Sequence, residues 1–258
     1  MKTFLTKNEK TINDKFKKKG YVICKAKSES YKYINDFILK VIKKNLKIKN
    51  PDLNKLHKLV KVNDLNEFRL NLIYQINRNS DFKFHYFNMA REKIYELAGN
   101  ELMMQKNINL SIQFPHDSSS LLPIHSDVWS GDSPYEINLW VPLVNCYKTK
   151  SMYILNPTKN LKFMKRKKKK YISSDEIYKY LKKDLEWINI KKNNFLLFDQ
   201  TLPHGNVINL ENETRVSMNC RFKSIFSPYG DKKIGEFFVP ITSRSITDLG
   251  NKYKNPFE

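Results

Sequence analysis

The chain contains no apolar run approaching the roughly 18 residues needed to cross a bilayer, and Met1–Asp14 shows no apolar core followed by a cleavage site. Both absences lead us to expect a soluble, cytoplasmic protein. Cysteine is scarce: Cys24, Cys146 and Cys220 are odd in number and have no CxxC spacing. That argues against a disulfide framework or a cysteine-built zinc site and for reduced, buried thiols. Acidic residues are also few, 26 against 47 lysines and arginines, for a formal charge of +21. The excess is nearly all lysine, spread along the chain among many asparagines. Such a vocabulary can come from an AT-rich genome, but it also suits an anionic small molecule and leaves nucleic acid open as a partner.

What is present is enough for a core. The 258 residues are 40% hydrophobic and 13% aromatic, which argues against global disorder. With no repeat and no linker, a single domain over 1–258 is expected. Residues 1–104 read mostly as helix. Gly20–Cys24 reads as a strand, and Ser30 as the cap of a helix carrying Ile34, Phe37, Ile38, Val41 and Ile42. Asp64 and Glu67 have capping-box spacing before Leu65, Phe68, Leu72 and Ile76. One further helix is expected through Phe87, Ala90, Ile94 and Leu97, stopping at Gly99.

From about residue 105 to 225 the period changes to two. Strands are expected at 107–113, 136–144, 151–155, 195–198 and 215–222. A lysine-rich insertion, 158–190, includes the basic run Lys165–Lys170. It also holds a helix opened by Ser173 and Glu176 with Ile177, Leu181 and Leu185 on one face. The tail, 226–258, is left to fold over the sheet.

The residues that carry chemistry are His125 and Asp127, in Ile124-His125-Ser126-Asp127, and His204, in Pro203-His204-Gly205. Two imidazoles and a carboxylate suit Fe(II), and three protein ligands leave positions open for a co-substrate and O₂. Arg215 follows His204 by eleven residues and offers a planar, permanently charged fork for a carboxylate. Arg215, Ser217, Asn219 and Arg221 alternate onto one strand face.

These segments resemble the Fe(II)- and 2-oxoglutarate-dependent oxygenases, most closely the phytanoyl-CoA dioxygenase-like branch with its bacterial carbohydrate-cluster enzymes. The likeness rests on the HxD, on Asn138-Leu139-Trp140-Val141-Pro142-Leu143, on Phe198 through Gly205, and on Arg215. It implies a mainly β double-stranded β-helix (jelly-roll, cupin-like) with the N-terminal helices packed on it. It also implies a metal triad of His125, Asp127 and His204, with 2-oxoglutarate held by Arg215 and Ser217 and touched by Asn138 and Gln113. Trp129, Trp140, His116 and Arg221 are candidates for substrate. Arg221 also rivals Arg215 for the co-substrate, because an arginine pair at this spacing occurs in nucleic-acid alkylation-repair dioxygenases. The presence of Asp127 favours oxidation over halogenation, since related halogenases lack that carboxylate. After the tryptophan strand the chain departs from the family pattern, with Ser151–Pro157 and the lysine-rich insertion, so no acyl-CoA substrate is carried over.

The expected function is oxidation of a small molecule, with a sugar or nucleotide-sugar first in line. A nucleic-acid demethylase and a non-catalytic basic binding protein are the alternatives. Oligomeric state is not legible.

Overall fold

A computed structural model describes residues 3–165 and 173–256; of the expected basic run, only Lys165 falls within them. The first helix, α1 (Lys7–Lys19), starts at a Thr6/Glu9 capping box and is closed by Gly20. Gly20 is therefore a helix cap rather than part of the strand that follows, β1 (Tyr21–Lys25). Helix α2 (Ser28–Leu46) begins two residues before Ser30, which is buried within it. The Ser30 hydroxyl meets His85 at 3.2 Å and accepts from Asn88 at 3.0 Å instead of capping.

A 3₁₀ turn leads into α3 (Leu65–Asn77), and Asp64, already helical in backbone, makes no side-chain cap. The single helix expected next is two, α4 (Ser80–Asn88) and α5 (Arg91–Ala98), broken at Met89–Ala90 and ended by Gly99. Strand β2 (Leu102–Gln105) was not foreseen.

The strands β3 (Asn109–Gln113), β4 (Glu136–Pro142) and β5 (Tyr153–Leu155) follow. Helices α6 (Pro157–Met164) and α7 (Ser174–Leu181) lie among the described residues of the insertion, and the expected Ser173/Glu176 capping box opens α7. Leu185 lies past that helix, in β6 (Leu185–Trp187). Then come β7 (Asn194–Asp199), β8 (His204–Gly205) and β9 (Arg215–Ser224). The tail is structured as β10 (Phe238–Thr242) and α8 (Ser245–Lys252).

Two antiparallel sheets result. The larger runs β1-β7-β4-β9-β2-β10, with β3 also paired to β9, and the smaller runs β6-β5-β8. The long strand β9 organises the larger sheet: Asn109–Gln113 pair with its first half and Leu102–Met104 with its second. One face of this sheet is apolar because alternate residues are: Leu139, Val141, Val216, Met218, Cys220 and Phe222 are buried in the core with Ile34, Ile38, Leu72 and Phe82 of the helices. Burying a side chain of this size contributes about 2 kcal/mol each. Two tyrosines pin the helices to β4, Tyr31 donating to the Pro142 carbonyl and Tyr86 to that of Leu139, both at 2.8 Å. The other face carries Asn138, Trp140, Arg215, Ser217, Asn219 and Arg221, which line a cavity shared with His204 and Gly205 of the smaller sheet.

Candidate functional site

The metal-ligand residues meet without lying on one strand. His125 and β8 exchange backbone hydrogen bonds, His125 N to His204 O at 2.9 Å and the reverse at 2.8 Å. Asp127 opens a 3₁₀ turn instead of following His125 along a strand. Ser126 between them is a staple: its hydroxyl donates to the carbonyls of Gln200 and Thr201 at 3.1 and 2.9 Å. This fixes the HxD loop against the turn that delivers His204.

Each histidine is oriented by its outer nitrogen. Nδ1 of His125 lies 2.8 Å from the Pro123 carbonyl and Nδ1 of His204 lies 2.8 Å from that of Leu202. A carbonyl only accepts, so both Nδ1 atoms carry the proton and both Nε2 lone pairs turn inward. Nε2 stands 3.4 Å from Asp127 Oδ1 in His125 and 3.9 Å in His204. One ligand atom from each of the three residues lies within 4.8 Å of the others, the geometry of a metal-binding triad.

Burial pushes His204 down to about 4, keeping it neutral and able to ligate. Burial also works against a charged His125, but the Asp127 carboxylate and the Pro123 carbonyl outweigh it and raise its pKa. Asp127 is desolvated, yet His125, His204 and Arg221 hold it well below the usual carboxylate range. Its outer contacts are Arg221 and the Asn138 amide, which lies 3.5 Å from Oδ2.

The triad opens into a cavity of about 540 Å³, within the range of small-molecule sites. Arg215 lines it and is 3% exposed. Its guanidinium donates to the Ser151 carbonyl at 3.2 Å and the Ser111 hydroxyl at 3.1 Å, and among the described residues it has no carboxylate partner. Burial pushes its pKa down to about 10, still protonated at neutral pH. Four polar atoms of the cavity wall are buried without hydrogen bonds: Arg215 Nε, Ser217 Oγ, Asn138 Oδ1 and Asp132 Oδ1. A buried cation with an unpaired hydroxyl donor on the same strand can receive an anion.

The remaining sequence candidates divide. Trp140 and Arg221 line the cavity. Gln113 sits opposite Arg215 in the sheet, but its amide donates to the Val207 carbonyl at 2.6 Å and it does not line the cavity. Trp129 packs against Phe163 of α6 with ring centroids 6.4 Å apart. His116 is exposed in a turn with φ of 57° and its N–H donates to Asn209. Neither lines the cavity.

Several lining residues had not been singled out: Arg69 of α3, Asp132, and Lys232 and Phe237 from the C-terminal segment. Gln200 was also missed. It accepts from Arg221 at 3.0 Å and donates to Glu136 at 2.8 Å, bracing the arginine that braces Asp127.

No family model matches the chain and no curated protein matches it. Solved structures do. The non-heme monooxygenase ThoJ, in complex with nickel, aligns with 90% of this chain and 84% of its own at 11% identity and a TM-score of 0.57. The non-heme alpha-ketoglutarate-dependent carbocyclase SnoK, from nogalamycin biosynthesis, aligns over 93% and 97% at 12% identity and 0.53. HygX from Streptomyces hygroscopicus, with nickel and 2-oxoglutarate bound, aligns over 89% and 90% at 10% identity and 0.50. At such identities the likeness is one of fold, and this chain has the fold of those proteins.

Proposed function

We propose that this chain is a non-haem Fe(II)- and 2-oxoglutarate-dependent oxygenase acting on a small molecule. The observation that carries the reading is the placement of the His125/Asp127/His204 triad and the unpaired, buried Arg215 in one cavity. Two histidines and one carboxylate with open positions suit Fe(II). Arg215 and Ser217 supply donors for the far carboxylate of 2-oxoglutarate, and Asn138, whose amide nitrogen faces Asp127, lines the same cavity. The bound pair would reduce O₂ at the expense of 2-oxoglutarate, releasing succinate and CO₂ and oxidising the substrate. The protein's share is to orient both imidazoles through Nδ1, hold Asp127 ionised, and present a buried, preorganised Arg215.

Arg215 rather than Arg221 is the co-substrate anchor in this reading. The Arg221 fork is already committed to Asp127, Asp132, Gln200 and Gln105. The shared fold with ThoJ, SnoK and HygX supports the double-stranded β-helix interpretation of the two sheets, and the sequence motifs support placement in the phytanoyl-CoA dioxygenase-like branch. With Asp127 in place, oxygenation or a related oxidation is the outcome, not halogenation. The substrate is a small molecule of biosynthesis, and sugars and nucleotide-sugars are the first class to screen.

The test is anaerobic reconstitution with Fe(II) and 2-oxoglutarate, followed by succinate release on admitting O₂. The wild type should bind both and release succinate, and Asp127→Ala or His204→Ala should do neither. Full turnover by Asp127→Ala would overturn the assignment.

A further inference from the structure

The charge of the cavity is unevenly spent. Its lining includes four cations, Arg69, Arg215, Arg221 and Lys232, against two carboxylates, Asp127 and Asp132. Arg221 is paired with both carboxylates, at 3.1 and 3.7 Å. Arg215 is taken by the co-substrate if the function proposed above holds. That leaves Arg69 and Lys232, both half-buried, neither of which forms an ion pair among the described residues. Arg69 makes one hydrogen bond, to Asn66 Oδ1 at 2.7 Å. The Lys232 ammonium lies 5.4 Å from the centre of the Phe237 ring.

Both are held by anchored elements. Helix α3, which carries Arg69, is fixed at its end by Asn77, which donates to the Ile108 carbonyl and accepts from its N–H at 2.9 and 2.8 Å. The segment carrying Lys232 is tied by four hydrogen bonds. The Pro228 carbonyl accepts from Lys223 Nζ and Ser133 Oγ, both at 2.6 Å. Asp231 N–H donates to Gly131 and Lys106 N–H to Phe237, at 2.8 and 2.7 Å. The C-terminal segment is thus a built wall of the cavity. Two cations outside any ion pair, with only the longer-range pull of Asp132 on Lys232, beside a partly desolvated space favour a dianion over a neutral or cationic ligand.

We infer that the substrate carries a phosphate or diphosphate group, received by Arg69 and Lys232, with its oxidised carbon turned toward the triad. This rests on the proposed oxygenase function and narrows its substrate class to phosphorylated small molecules.

The experiment is calorimetric titration of inorganic pyrophosphate onto the metal-stripped full chain at low and at 0.15 M salt, with acetate as the monoanion control. The variants are Arg69→Gln, Lys232→Met, the double variant and Arg215→Met, each checked for folding by thermal melting. Pyrophosphate should bind the wild type more tightly than acetate, and roughly tenfold more weakly in the double variant. A loss confined to Arg69→Gln or to Lys232→Met assigns the group to that residue and upholds the inference.

Absence of binding, equal binding by all variants, or loss in Arg215→Met alone would overturn it. Binding of 2-oxoglutarate with a divalent metal is measured in parallel. If it survives in the double variant while pyrophosphate behaves in any of those ways, the phosphate inference fails and the oxygenase reading stands. If wild type itself fails to bind 2-oxoglutarate, the oxygenase reading is what fails.

Discussion

The Arg221 guanidinium grips the Asp127 carboxylate with both prongs: Nη2 lies 3.1 Å from Oδ1, and Nε donates to Oδ2 at 3.3 Å. Asp132 is 3.7 Å from the same guanidinium, and Glu136 reaches it through Gln200. Arg221 therefore neutralises a buried acidic cluster and sets the angle of a metal ligand.

Removing that arginine should expose the cluster's repulsion. Arg221→Gln is expected to destabilise the metal-stripped protein by about 3 kcal/mol, the cost of stripping one partner from a buried ion pair. Added divalent metal supplies the missing positive charge to Asp127, so the deficit should shrink on titration with metal. Chemical denaturation with and without metal measures both, and a deficit unaffected by metal would contradict this role.

A second pair positions Arg215 from behind. Lys150, fully buried, donates to Glu213 at 2.6 Å and to Asn54 at 2.7 Å. Its neighbour Ser151 gives the carbonyl that holds Arg215, and Glu213 lies two residues ahead of Arg215. The hydrogen bond from Lys150 lowers the pKa of Glu213 below its usual 4.5. A lowered carboxylate pKa adds stability that is complete above the unfolded value and is lost as pH falls through the folded one. Glu213→Ala should cost about 2 kcal/mol at neutral pH, between the surface and buried ion-pair cases. The gap from wild type should close as pH drops below 4.5. Unfolding curves across pH 3 to 7 would show it, and a pH-independent gap would not fit.

Gly205 explains why a glycine follows the distal histidine. A Cβ there would lie 2.8 Å from the Leu122 carbonyl oxygen, 2.8 Å from the Tyr153 hydroxyl and 3.0 Å from the Pro123 carbonyl oxygen. Pro123 is the residue whose carbonyl orients His125. Gly205→Ala should therefore move both histidines, weakening divalent-metal affinity by about tenfold, in the range for lost outer-shell support. A metal titration reads this directly, and wild-type affinity would rule out the coupling.

How much of this was legible in the chain depends on the range over which the information acts. The triad of His125, Asp127 and His204 could be read because its residue types are chemically distinctive and each of its two motifs is short, although the motifs lie far apart in the chain. The core faces of α2 and α3 followed from apolar periodicity. The signals that failed are ones that tertiary structure reassigns. Ser30 has a capping side chain but spends its hydroxyl on α4. Asp64 has capping-box spacing but enters from a 3₁₀ turn with helical backbone, which denies it the cap geometry. Arg69, Gln200 and Lys232 could not be found because nothing in their own neighbourhoods marks them; they matter only where α3, the His204 turn and the C-terminal wall converge.

Arg215 offers the sharpest test, because it should trade stability for binding. It is buried, its Nε is unsatisfied, and its hydrogen-bond partners are a neutral carbonyl and a neutral hydroxyl. A cation in that position costs free energy until an anion arrives. Arg215→Met keeps most of the side-chain volume and removes the charge. The variant should unfold at higher denaturant in the absence of ligand, by about 1 kcal/mol, as expected for a residue retained for function at the expense of stability. Its 2-oxoglutarate affinity should fall by about 3 kcal/mol, the upper range for hydrogen bonds to a charged group. Metal affinity should change little, since Arg215 makes no hydrogen bond or ion pair with His125, Asp127 or His204. The wild type should gain in melting temperature on adding 2-oxoglutarate with metal, and the variant should not. If Arg215→Met were destabilised and still bound 2-oxoglutarate normally, the arginine would be a structural residue and the anion would have to be held elsewhere in the cavity.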